Sequence, residues 1–189
     1  MNAFPPLLGA VALFAVLAIG CSQPSTPPQA TSTTMPTATS SNSFSLTEAE
    51  WKARLTPAQF NVLRKKGTER SFTSDLLKIK DDGTYVCAGC DLALFAADSK
   101  FDSGTGWPSF TQPIKKEVVR EKVDGSYGST EIRSTKSDAH LGHVFTDGPK
   151  PNGLRYCMNS ASLRFVGKEK MQELGYGEFL PLFAKADGK

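Results

Sequence analysis

The stretch His140-Leu141-Gly142-His143-Val144-Phe145, then the Gly- and Pro-rich segment 146–153, then Leu154-Arg155-Tyr156-Cys157-Met158-Asn159-Ser160-Ala161-Ser162-Leu163-Arg164-Phe165, decides the fold. Two such runs separated by turn residues predict an antiparallel strand pair. In extended chain, alternate side chains share a face, so Arg155, Cys157 and Asn159 point one way, Tyr156 and Met158 the other. A cation and an amide then flank one thiol, shortly after His140 and His143, the only two histidines of the chain. The thiolate is the nucleophilic form of cysteine, and a polar, cationic setting favours it. A buried cysteine that fills space fits the local pattern equally well.

Working outward, Val118 to Val123 and Ser129 to Arg133 flank Asp124-Gly125 and predict a hairpin with a slightly extended loop. Two helix starts lie further upstream. Thr47 with Glu50 forms a capping box, with Leu46 stapling against Trp51. Thr56 with Gln59 repeats the device, with Pro57 at the first helical position and Leu55 stapling against Phe60. The second helix is expected to stop at Gly67, after Lys65 and Lys66 complement its C-terminal dipole. Trp51, Leu55, Phe60 and Leu63 read as core. Lys168 to Leu174, closed by Gly175, predicts a last short helix. A strand-helix rhythm and a Gly-rich phosphate loop are both missing, which excludes a doubly wound nucleotide fold. The expected class is mainly β, of antiparallel sheets with short helices at the N-terminal end.

Length and charge bound the rest. The chain of 189 residues, with a formal net charge of +3 and interspersed charges, shows no nucleic-acid footprint. Residues 1–47 carry no Lys, Arg, Asp or Glu; Glu48 is the first charge. Residues 1–20 read as an export signal, with an apolar run of 14 residues from Leu7 to Gly20. Leu17-Ala18-Ile19-Gly20-Cys21 resembles a bacterial lipobox, which makes Cys21 the expected lipidation site. Ala18 stands where Leu is usual in that pattern, and Met1 to Pro6 lack Lys and Arg. Residues 21–43 are rich in Ser, Thr and Pro with little to bury, and are expected to be a disordered tether. The folded domain is expected over 44–189.

Besides Cys21 and Cys157, the chain has Cys87-Ala88-Gly89-Cys90. This spacing suits half of a structural zinc site, a redox pair, or a simple exported disulfide. Spacing alone does not choose among them.

From about Trp51 to Phe165 the chain resembles the methionine sulfoxide reductase B family. The matching stretches are Gly67-Thr68-Glu69, Tyr85 to Cys90, Phe101-Asp102-Ser103-Gly104-Thr105-Gly106-Trp107-Pro108-Ser109-Phe110, Asp138 to Gly148, and Leu154 to Phe165. The resemblance implies the β-tent fold and reduction of the R epimer of methionine sulfoxide in proteins. It places Cys157 as nucleophile and His140, His143, Arg155 and Asn159 as groups that orient, protonate or electrostatically support the centre. It places Trp107 against the substrate methyl group. No flavin or nicotinamide motif is visible in the sequence, so no such cofactor and a thioredoxin-like protein as reductant are expected.

Two departures from the family pattern follow. Where zinc-containing members have a second Cys-x-x-Cys, this chain reads Ser134-Thr135-Lys136-Ser137, so a metal-free protein is expected. The usual positions of the resolving thiol hold Thr105 and Thr73. Cys87 and Cys90 are then candidate resolving thiols, with direct reduction by a small thiol or a thioredoxin-like protein as the other route. An exported protein, lipid-anchored in the bacterial envelope, is expected. Two alternatives of another class are a surface lipoprotein binding a metal through Cys87, Cys90, His140 and His143, and a non-catalytic peptide-binding member.

Overall fold

The computed structural model describes residues 44–123 and 130–184. The signal, Cys21 and the tether lie outside the described residues, as does the hairpin loop 124–129. Both capping boxes form as the sequence dictates. Thr47 caps α1 (Glu48–Arg54) and Thr56 caps α2 (Pro57–Lys65), each with reciprocal bonds to Glu50 or Gln59. Trp51, Leu55 and Leu63 are buried, and Leu46 and Phe60 pack against their cluster. The end of α2 departs from expectation. Lys66, not Gly67, takes the left-handed conformation (φ 58°), and Gly67 N–H donates to Asn61 O at 2.9 Å. Lys66 is held there because its Nζ reaches Glu131 Oε2 at 2.9 Å.

Among the described residues nine strands follow, paired antiparallel throughout. β1 (Gly83–Cys87), β2 (Ala93–Ala96) and β9 (Leu163–Gly167) form a three-stranded sheet in the order β2-β1-β9. The other sheet has six strands: β3 (Lys100–Phe101), β4 (Ser109–Phe110), β5 (Val119–Val123), β6 (Thr130–Ser134), β7 (His140–Phe145) and β8 (Arg155–Met158), ordered β3-β4-β8-β7-β6-β5. The β5–β6 hairpin and the β7–β8 pair are those the sequence predicts. Phe95 stacks on Phe110 at 4.4 Å, and Tyr85 meets Phe110 edge-on at 4.9 Å, filling the main core.

The expected single strand from Leu154 to Phe165 is instead two strands in different sheets. β8 stops at Met158, a 3-10 turn covers Ser160–Ser162, and β9 crosses to pair with β1. The cause is long-range. Leu141 O accepts from Asn159 N (2.9 Å), Asn159 Nδ2 (3.2 Å) and Ser162 Oγ (3.2 Å). The Glu69 carboxylate takes the N–H groups of Ser160 and of Ala161, the latter at 2.7 Å. These bonds satisfy backbone groups that a break in a strand would otherwise orphan. At the C-terminal end, α3 (Lys168–Met171) precedes Gly175 (φ 84°) and a 3-10 helix, Gly177–Phe183. Phe179 and Phe183 bury a second cluster with Val86, Val166 and Met171.

Candidate active site

Register builds the site. Cys157 on β8 stands opposite His143 on β7 and Ser109 on β4, and His143 in turn stands opposite Glu131 on β6. Directly paired residues share a face, so Ser109, Cys157, His143 and Glu131 form one row across four strands. Tyr156 and Met158 point the other way into the core, as alternation requires. Cys157 itself is half-buried. It lines a pocket of about 150 Å³ with Thr68, Trp107, His143, Phe145 and Asn159. Gly142 also borders this pocket. A Cβ there would fall 2.2 Å from Cys157 O, so only glycine lets β7 lie this close to the nucleophile strand.

Each predicted residue takes a distinct place around the thiol. The Arg155 guanidinium donates to both Asp147 oxygens at 2.8 Å and lies over Phe145, 4.3 Å from its ring centre. Asp147 holds that guanidinium firmly protonated against the cost of burial, and the neighbouring Cys157 sulfur acts in the same direction. A fixed cation therefore stands beside the sulfur. Asn159 is buried, with Nδ2 on Leu141 O and Oδ1 lacking a protein partner. Trp107 Nε1 donates to Glu69 O at 3.3 Å, which fixes the indole as a pocket wall. Thr105 Oγ1 lies 3.9 Å from Cys157 Sγ, within a hydroxyl chain that runs on to Ser103 (2.9 Å) and Ser109 (2.7 Å).

The two histidines are not equivalent. His143 lines the pocket, whereas His140 is buried 5.4 Å behind it, ring centre to ring centre. His140 Nδ1 is 2.9 Å from Glu131 Oε1, and its Nε2 has no protein partner. Burial pushes the His140 pKa down, and Glu131 opposes that only in part. Burial alone would raise the Glu131 carboxyl. Hydrogen bonds from Lys66, His140 and Arg133 overcome this and bring it to about 2. Glu131, only 1% exposed, is a site residue that sequence reading misses, because a Glu in a strand ordinarily faces water. Glu69 is another; its place in the Gly67-Thr68-Glu69 stretch was the available signal.

Cys87 and Cys90 are not in this pocket. Both are fully buried, among Trp51, Leu63 and Leu163. Cys90 Sγ is 3.5 Å from Ser134 Oγ, and Ser137 is buried with its hydroxyl unpartnered. A hydrogen bond from Cys87 favours the Cys90 thiolate despite burial, and the same bond and burial push the Cys87 thiol up. Two thiols and two hydroxyls do not fit a structural zinc ion, which takes four sulfur or nitrogen donors. The alternative metal set of Cys87, Cys90, His140 and His143 does not assemble either. His140 is engaged by Glu131 and His143 faces Cys157. Among the described residues, no group of three or more His, Cys, Asp or Glu could hold a metal ion.

The model of the SelR domain matches residues 55–167. A peptide methionine sulfoxide reductase MsrB of Leptospira interrogans is 57% identical over 120 residues, covering 62% of this chain and 92% of that protein. The MsrB of a Synechococcus species is 54% identical over 123 residues, 64% of this chain and 90% of its own. That of Thiobacillus denitrificans is 50% identical over 125 residues, 65% of this chain and 95% of its own. With a matched domain that spans most of the described residues and a thiol centre built on its strands, this chain belongs to the methionine sulfoxide reductase B family.

Proposed function

We propose that the protein reduces the R epimer of methionine sulfoxide in proteins to methionine, with Cys157 as its nucleophile. One observation carries the reading. A half-buried thiol, an aromatic wall and a histidine opposite the thiol meet in a single pocket, as Cys157, Trp107 and His143. The similar proteins are named peptide methionine sulfoxide reductases, which supports the reaction class.

The Cys157 thiolate attacks the sulfoxide sulfur while the sulfoxide oxygen takes a proton. Methionine leaves as the thioether, and the oxygen ends on Cys157 as sulfenic acid. Thiol plus sulfoxide thus gives sulfenic acid plus thioether. Arg155 supports the negative charge on sulfur, and Trp107 packs on the S-methyl group. His143 faces the reacting sulfur and supplies the proton; Asn159 orients the oxygen; His140 backs His143 from the buried side. A dithiol then attacks the sulfenic sulfur, water leaves, and the second thiol closes a disulfide on the reductant. Burial of Cys87 and Cys90 supports direct reduction by a thioredoxin-like protein over resolution within the chain.

The apolar run from Leu7 to Gly20, directly before Cys21, supports export and lipid anchoring in the bacterial envelope, with the reductant on the same side. Among the described residues, no helix is long and apolar enough to cross a membrane.

Turnover of the separated sulfoxide epimers with dithiothreitol tests the mechanism. The R epimer is consumed and the S epimer is not, and Cys157→Ser lowers the rate by roughly 10³-fold or more. Equal rates for wild type and Cys157→Ser overturn it. Cys87→Ser and Cys90→Ser, made singly, retain thioredoxin-dependent turnover if reduction is direct.

A further inference from the structure

Trp107 lines a second pocket, of about 140 Å³, that the chemistry above does not use. Phe72, Leu77, Lys80 and Lys100 supply its other principal walls. Phe72 is 69% exposed, the only exposed aromatic side chain among the described residues. It also sits at φ 62°, a left-handed conformation that costs a residue with a Cβ on the order of 1–2 kcal/mol. The neighbouring loop enforces this posture. Phe72 N–H donates to Gly106 O at 2.8 Å, and a Cβ on Gly106 (φ 85°) would come within 2.6 Å of the Phe72 ring. Strain spent on holding an aromatic ring in water, against the loop that carries Trp107, signals use rather than packing.

The pocket also has a charge. Lys100 Nζ donates to Leu77 O (3.1 Å) and Ile79 O (3.0 Å), which fixes it in the wall. Lys80 is exposed and close enough to repel it; burial first, and then this charge, lower the Lys100 pKa. Asp102 is the only carboxylate among the lining residues, and its Oδ1 accepts from Gly104 N–H. Two ammonium groups thus face one carboxylate.

We propose that this pocket is the subsite for the polypeptide flanking the oxidised methionine, seating an apolar side chain on Phe72 and a carboxylate side chain at Lys80. The occupant is a stretch of the substrate protein itself, because the pocket shares Trp107 with the Cys157 pocket. At roughly 3.3 Å per extended residue, the two pockets take side chains within two or three positions of each other. The inference rests on the reductase reading and adds a preference: unfolded or loop segments in which methionine lies near apolar and acidic residues.

The test compares kcat/KM on R-sulfoxide peptides with kcat/KM on N-acetylmethionine-R-sulfoxide amide, whose short body ends before the second pocket. Peptides carry Phe with Glu, or Ser with Lys, within three residues on either side of the sulfoxide. The Phe/Glu peptide is expected to exceed the Ser/Lys peptide by about fivefold or more at low salt, the scale of one exposed ion pair plus an apolar contact. Lys80→Glu inverts the charge preference, and high salt erases it. Phe72→Ala lowers the peptide-to-amide ratio of kcat/KM. Where Phe72→Ala fails to fold, Lys80→Glu alone decides. Peptide-to-amide ratios that are the same for all peptides, and unmoved by Lys80→Glu, overturn the subsite. Absence of wild-type turnover on the amide and on every R-sulfoxide peptide instead removes the reductase reading and the subsite with it.

Discussion

Cys157 and the Cys87–Cys90 pair put the same functional group into two environments. Cys157 is half-buried at the edge of a pocket, beside the Arg155 cation and opposite His143. Cys87 and Cys90 are buried with residues of α1 and α2, with the Ser134 hydroxyl beside Cys90, and neither lines the pocket. Reactivity here comes from placement on the sheet. Reach to substrate, a fixed cation and a facing imidazole exist at one thiol only. The buried pair is a structural joint between the two sheets whose outer half is serine.

The sharpest way to break the contrast is to complete that joint. Ser134→Cys combined with Ser137→Cys is expected to place four thiols at one point and retain about one zinc ion per chain by elemental analysis. With free zinc a thousandfold above its Kd the gain is about 4 kcal/mol, or a Tm rise of about 10 °C. A double variant that retains no zinc would show that the serines have drifted out of ligand geometry.

Glu131 is the buried charge on which the reactive row rests. Its carboxyl is at about 2 in the fold, against 4.5 for an ordinary Glu. A depressed acid stabilises the fold above its unfolded pKa and loses that contribution as pH falls toward the folded value. The contribution is on the order of 3 kcal/mol at neutral pH, present above about pH 5 and gone near pH 2. His140, pushed down by burial, adds to acid lability in the same direction below its ordinary range. Glu131→Gln is therefore expected to unfold at lower urea than wild type at pH 7, with the two curves converging near pH 2. A constant gap between them at every pH would contradict the linkage. Because Glu131 also fixes His140, the variant should lower kcat more than it raises KM.

The smallest effect tests reach. Thr105 Oγ1 is 3.9 Å from Cys157 Sγ, so Thr105→Cys should resolve the sulfenic acid within the chain. After one equivalent of sulfoxide without reductant, the wild type is expected to gain about 16 Da and the variant to lose about 2 Da. A gain of 16 Da in both would place the loop out of reach of the nucleophile.

What was legible in the sequence was local. Thr47 and Thr56 announce α1 and α2 because their caps act across three residues. The β5–β6 hairpin and the alternation around Cys157 are likewise short-range patterns. The turn at Asn159 was not legible, since Leu141 O and the Glu69 carboxylate impose it from far away in sequence. Lys66 escapes the glycine rule because its side chain must reach Glu131. Within the site, the inequality of His140 and His143 depends on a buried acid two strands from the nucleophile, and spacing does not encode that.

The cross-strand row has a consequence for how the molecule acquires activity. A strand slipped by one residue would exchange Cys157 for Met158 on the pocket face and turn the thiol into the core. Such a one-residue slip is therefore chemically silent. Single-turnover competence during refolding reports directly on the moment when the β7–β8 register locks, with no spectroscopic label. The enzyme carries its own clock for sheet assembly.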